Sequence, residues 1–69
     1  MNLNMKIARM KNGITQYDLS YSTRIPQGTI SLIEQGIKQP SFDQAQKIAE
    51  ALHMSIEEIF PKIRPNNKR

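Results

Sequence analysis

"TQYDLSYSTRIPQGTISLIEQG", residues 15–36, contains two short helical patterns with a corner between them. The first begins at a capping box, in which the Thr15 hydroxyl accepts from the Asp18 N–H and the Asp18 carboxylate accepts from the Thr15 N–H. The second ends at Gly36, a residue type that often closes a helix. Because only residues 24–26 separate the two patterns, the chain has to turn sharply, which predicts a helix-turn-helix corner.

Both patterns have an apolar side, and the second also has an unusual first turn. Leu19 lies on the inner side of the first helix, and Ile30 and Ile33 face inward from the second. Pro26 and Gly28 fall in the first turn of the second helix, and in a helix interior a glycine costs about 1 kcal/mol relative to alanine. Either this helix has low intrinsic stability, or its face has to carry no side chain at the position of the glycine.

Three further helices are predicted outside this stretch. Leu3, Ile7 and Met10 recur at helical spacing before Asn12-Gly13, which predicts helix 1. Two more capping boxes, at residues 41–44 and 55–58, begin the fourth and fifth helices. The inward face of the fourth comprises Phe42, Ala45, Ile48, Ala49 and Leu52. No segment has the pattern of a strand, so the sequence predicts a compact all-α, five-helix domain over residues 1–60.

Residues 61–69, "PKIRPNNKR", form a basic tail after the last helix. This stretch is polar and contains two prolines, and we expect it to be mobile.

Composition restricts the class of protein. The 69 residues include no cysteine, and they carry ten Lys and Arg against six Asp and Glu, for a net charge of +4 that is concentrated at the two ends of the chain. This balance favours a polyanionic partner. No stretch is apolar enough for a membrane span, and we expect a soluble, cytoplasmic protein. With one histidine and no cysteine, the sequence also predicts no metal, no cofactor, no evident small-molecule ligand and no enzymatic activity.

The ordered set of anchor residues resembles the Cro/repressor (XRE-type) helix-turn-helix family over residues 3–60. The resemblance is carried by Thr15-Gln16 and Leu19, by residues 30–36, by Pro40-Ser41 and by "AEALHMSIEEIF", residues 49–60. It implies a lambda-repressor-like DNA-binding domain whose helix-turn-helix comprises helices 2 and 3. Helix 3 would then lie in the major groove of double-stranded DNA.

The resemblance implies which side chains of helix 3 contact bases. Gln27 is expected to read adenine, because a glutamine amide donates and accepts at once. Leu32 either packs against a thymine methyl group or belongs to the rim of the core. Ser31 offers a hydroxyl or lies on an ordinary exposed face. The expected base contacts are Gln27, Gly28, Ser31 and Leu32.

Other residues are expected to position the protein on the DNA backbone. In the lambdoid repressors a glutamine that opens helix 2 braces the reading glutamine and bonds a phosphate, and Gln16 occupies that place. The expected backbone contacts are Thr15, Gln16, Thr29, Gln35, Lys38 and Lys11.

One ion pair and three departures from the family pattern concern the scaffold. The resemblance implies that Arg9 meets Glu34 and joins helices 1 and 3, although a phosphate contact is the rival role for Arg9. Arg24 stands where the family often has glycine, so it needs either a positive φ or a reshaped turn. Pro26 replaces the usual hydroxyl cap, and His53 is expected at the C-terminal cap of helix 4.

The predicted function is sequence-specific DNA binding by a transcriptional regulator. The leading hypothesis is a repressor that binds a palindromic operator as a homodimer. The expected dimer surface comprises Ile56, Ile59, Phe60 and Ile63. The alternatives are a protein-interaction module and an antitoxin-type autoregulator with the same fold.

Overall fold

Five helices make up the part of the chain that the structure describes, residues 1–63 of a computed structural model. This confirms the predicted all-α fold. Every residue within 1–63 is helix, turn or irregular backbone, and none is strand. The helices are α1 (Leu3–Lys11), α2 (Gln16–Thr23), α3 (Gln27–Gln35), α4 (Phe42–Ala51) and α5 (Ile56–Ile59).

Side-chain caps fix where four of these helices begin. The three predicted capping boxes form at Thr15, Ser41 and Ser55, each with the side chain three residues later. Asn2 caps α1, because its side-chain oxygen accepts from the Met5 N–H at 3.0 Å. Pro26 precedes α3 and supplies no side-chain bond, as expected from its chemistry.

Two helix ends adopt a left-handed backbone without glycine. Arg24 has φ of 62° after α2, and His53 has φ of 59° after α4. Of the two possibilities for Arg24, the chain therefore adopts the positive φ. Gly36 (φ of 81°) closes α3, and a Cβ there would lie 2.9 Å from the Met1 nitrogen, so a second constraint besides φ favours glycine.

The core lies where α2, α3 and α4 meet, with α1 and α5 closing it. Leu19, Ile30, Ile33 and Ile48 are essentially inaccessible to solvent, as the helical patterns predict. The other buried apolar side chains are Met5, Ala8, Ile25, Ala45, Ala49, Leu52, Ile59 and Phe60.

The inward face of α1 does not comprise the residues whose spacing predicts the helix. Met5 and Ala8 are buried, whereas Leu3, Ile7 and Met10 are 56%, 45% and 63% exposed. Two sets of apolar residues recur at helical spacing on this helix, and periodicity predicts the helix without choosing between them. The set that identified α1 in the sequence faces solvent.

The described residues extend three positions into the region expected to be tail. Ile63 packs against the core, and its N–H donates to the Phe60 carbonyl at 3.0 Å. The rest of the expected tail, residues 64–69, lies outside the described residues.

Candidate functional site

The corner between α2 and α3 orients the outer face of α3. Residues 24–26 separate the helices, and Ile25 within the corner is 4% exposed. Ile30 and Ile33 attach the opposite side of α3 to the core. The helix is therefore fixed from behind, and its outer face consists of Gln27, Gly28, Thr29, Ser31, Leu32 and Gln35.

Gly28 leaves an open surface on this face. Its φ is not positive, and a Cβ built on it would have no atom within 4 Å. Neither backbone conformation nor packing requires glycine here, so its cost to helix stability has no explanation in the fold.

Glu34 is the polar centre behind α3. It is 4% exposed, and both of its oxygens accept from the Arg9 guanidinium, from Nε at 3.1 Å and from Nη2 at 3.0 Å. Arg9 Nη1 donates to the Ile14 carbonyl at 3.0 Å. A bidentate pair with further bonds can repay much of the desolvation of two charges. The guanidinium thus joins α1, α3 and the loop that precedes α2.

A relay of hydrogen bonds runs from this ion pair to the first residue of α3. Gln16 Nε2 donates to Glu34 Oε1 at 3.0 Å, and Gln27 Nε2 donates to Gln16 Oε1 at 2.8 Å. Sequence reasoning paired Gln16 with Gln27 and Arg9 with Glu34, but it missed the bond between Gln16 and Glu34 that joins the two pairs.

The relay sets the direction in which the Gln27 amide points. A carboxylate only accepts, so Gln16 has to turn its NH2 group toward Glu34 and its oxygen toward Gln27. Gln27 then has to donate to that oxygen, which leaves its own oxygen and one N–H available. A free acceptor beside a free donor matches N6 and N7 on the edge of adenine.

The other positions expected to contact DNA differ in how free they are. Thr15 is exposed, but its hydroxyl accepts from the Asp18 N–H at 3.0 Å within the capping box. Gln35 Nε2 donates to Ser31 Oγ at 2.8 Å on the outer face of α3. Lys11, the last residue of α1, and Lys38, in the turn after α3, are both exposed. Thr29 is half-buried.

The Asp18 carboxylate shows what the capping box does to its charge. Hydrogen bonds from the Thr15 backbone, and secondarily from the Thr15 side chain, hold the pKa of Asp18 below its usual value. The folded start of α2 therefore favours the ionised form of the Asp18 carboxylate.

The expected dimer surface is only partly available. Ile59 and Phe60 are 2% and 5% exposed because α5 turns them into the core, so these two of the four expected residues present almost no surface to a second copy. Ile56 and Ile63 are half-buried at its edge.

Within residues 1–63, no helix is long and apolar enough to cross a bilayer. The same residues hold no group of three or more acidic, His or Cys side chains that could bind a metal ion.

Comparison with known proteins identifies the family to which the chain belongs. The family model described as "Helix-turn-helix" matches residues 5–59, which is most of the 69-residue chain. Among the curated proteins compared with it, none matches the chain.

Proposed function

The chain belongs to the Cro/C1-type (XRE) helix-turn-helix family of DNA-binding regulators, and we propose that it is a cytoplasmic, sequence-specific transcriptional repressor. It binds a palindromic operator as a homodimer. In this proposal α3 enters the major groove, and α2 crosses the phosphate backbone.

The relay from Arg9 and Glu34 through Gln16 to Gln27 is the observation that carries the proposal. It places a glutamine with a fixed amide direction at the start of α3, where this fold meets base edges. Fixing the amide before binding reduces the entropy lost when it pairs with a base. Gln27 therefore reads adenine, and Gln16 both braces it and approaches a phosphate.

Phosphate contacts supply the affinity that does not depend on sequence. Lys38, in the turn after α3, is an exposed cation that supplies such a contact in this proposal. Thr15, Thr29 and Gln35 add neutral donors to the same contact. Each phosphate that is neutralised releases counterions, so binding should weaken as salt rises.

A homodimer explains how so small a reading surface reaches operator specificity. Two copies of α3 would have to lie about 34 Å apart to occupy successive turns of one groove. The partly exposed Ile56 and Ile63 remain candidates for the dimer surface. A dimer on a promoter blocks transcription by occluding it.

The first test removes the base reader. Selection of bound fragments from a random DNA pool defines the operator, and Gln27→Ala should then reduce discrimination at one position per half-site by about 1–3 kcal/mol. Asp43→Asn, at an exposed side chain on α4, is the control and should leave discrimination unchanged. Equal affinity of the unmutated protein for operator and random DNA would refute the proposal.

The second test removes a phosphate contact. Lys38→Ala should weaken binding to all sequences alike and lower the slope of log affinity against log salt by about 1. Lys47→Ala, an exposed lysine on α4, should leave that slope unchanged.

Leu32 favours a second candidate function, binding of a protein by the same face. Its side chain is 39% exposed on the outer face of α3, where it could meet either a thymine methyl group or an apolar protein surface. A salt titration separates the two, because an apolar protein interface would lack the steep salt dependence of DNA binding.

A further inference from the structure

The outer face of α1 presents apolar side chains to solvent. Leu3, Ile7 and Met10 are each about half exposed, and at about 100° per residue they fall within an arc about 60° wide. We call these three residues the α1 stripe. Contiguous exposed apolar groups of this kind commonly mark a binding surface.

Folding does not require the α1 stripe. The other side of the helix is attached by the buried Met5 and Ala8 and by the Arg9–Glu34 ion pair. Asn2 adds two bonds, from its N–H to the Glu34 carbonyl and from Nδ2 to the Ile59 carbonyl, both at 2.8 Å. The apolar character of the stripe is therefore unexplained within one copy of the chain.

Cations flank the α1 stripe on both sides. Lys6 and Lys11 lie about 40° beyond its two edges on the helical circumference. The helix carries no acidic residue. Its outer surface is an apolar ridge between two positive charges, and the matching surface is an apolar groove between two negative charges.

Such a groove lies between α4 and α5 of the same chain. We call it the α4–α5 groove. Its apolar lining includes Phe42, Met54, Ile56 and Ile63, and acidic side chains line it from both helices, Glu50 from α4 and Glu57 from α5.

We propose that the α1 stripe of one copy docks in the α4–α5 groove of a second copy, with Lys6 and Lys11 facing Glu50 and Glu57. This inference rests on the homodimer in the proposed function and identifies its surfaces. Pairing α1 with α1 would instead bring lysines together with no acid between them, and like charges at an interface are unfavourable.

The position of Ile63 allows both contacts to share one interface. Besides the α4–α5 groove, Ile63 lines the cavity next to Leu3, so the ridge and the groove adjoin on the surface. A two-fold axis can then place the stripe of each copy in the groove of the other, and every contact is made twice.

Exchange of the charges tests this pairing in the absence of DNA. Variant 1 carries Lys6→Glu and Lys11→Glu, and variant 2 carries Glu50→Lys and Glu57→Lys. Sedimentation at low salt should show each variant alone dimerising about tenfold more weakly, which corresponds to about 1.4 kcal/mol. An equimolar mixture should recover the dimer, because the mixed pair places opposite charges together in both contacts.

Two controls separate the interface from net charge and from folding. Lys47→Glu reverses an exposed charge on α4 and should leave dimerisation unchanged. Ile7→Gln should weaken the dimer about tenfold without lowering the melting temperature, whereas Tyr21→Gln, at a side chain 90% exposed on α2, should change neither.

Each outcome is informative. A mixture that stays as weakly associated as its components overturns the pairing, and if the unmutated chain still dimerises, the homodimer stands with other surfaces. An unmutated chain that is monomeric at every concentration, and also on DNA, overturns both the pairing and the homodimer. Operator selection is measured separately and tests the DNA-binding part of the proposed function by itself.

Discussion

Replacement of Arg24 by glycine should stabilise the fold. Arg24 closes α2 with φ of 62° and ψ of 26°, and its N–H donates to the Ser20 carbonyl at 2.8 Å, a bond that glycine keeps. The left-handed conformation costs a residue with a Cβ about 1–2 kcal/mol. Glycine removes this cost, but its more flexible unfolded state offsets about 0.5–1 kcal/mol of the gain. The free energy of unfolding should therefore rise by about 0.5–1 kcal/mol.

Thermal and urea denaturation, followed by far-ultraviolet circular dichroism, measure this change. For a domain of this size, the expected gain raises the melting temperature by about 4 °C. His53→Gly removes the same backbone cost after α4, where φ is 59°, and should give a similar gain. The two sites end different helices, so the double variant should show the sum of the two effects.

Two further variants separate backbone strain from loss of the arginine charge. Arg24→Ala removes the charge and keeps the Cβ, and it should not stabilise the fold. Gly13→Ala is the reverse experiment, because Gly13 has φ of 65° and no atom within 4 Å of an added Cβ, so only the backbone term changes. It should cost about 1 kcal/mol. If Arg24→Ala and Arg24→Gly melt at the same temperature, the argument from φ is wrong.

Three other predictions follow from the site and its supports. Gly28→Ala should stabilise the domain by about 1 kcal/mol in urea titrations, and Gly28→Gln should add a preference at one base position in a selection experiment; a change in stability alone would contradict the placement of this face. Glu34→Gln should lower the free energy of unfolding by about 3 kcal/mol, because it leaves the Arg9 charge largely buried without a counter-ion. Since the pKa of Asp18 is lowered by folding, its contribution to stability is present above the ordinary carboxylate pKa and is lost as pH falls through the lowered value. Asp18→Asn should flatten urea-measured stability over that acidic range.

Local signals in the sequence were sufficient for most of the fold. The capping boxes at Thr15, Ser41 and Ser55 depend on residues three apart, and each forms as predicted. The inward face of α3 could also be predicted. Its large apolar residues are Ile30, Leu32 and Ile33, and of these Ile30 and Ile33 are three residues apart, as on one face of a helix.

The rest depended on contacts between distant segments. The sequence could not decide between the two apolar faces of α1, since that choice depends on what α3 and α5 present to it. For the same reason, it could not show that Ile59 and Phe60 are buried by a helix of four residues. The bond between Gln16 and Glu34 joins positions 18 residues apart, and no local pattern indicates it.

The relay behind Gln27 distinguishes two kinds of position near the outer face of α3. Substitution at some of them breaks hydrogen bonds of the scaffold, and substitution at others does not. Substitution of Gln27 leaves the Gln16 oxygen without its donor, and a change at Gln16 removes a donor from the buried Glu34. Gly28 meets no neighbour, and Leu32 is partly exposed. Under the proposed function, new operator preferences should therefore arise, by natural drift or by design, through single substitutions at positions 28 and 32 while the folded scaffold stays intact.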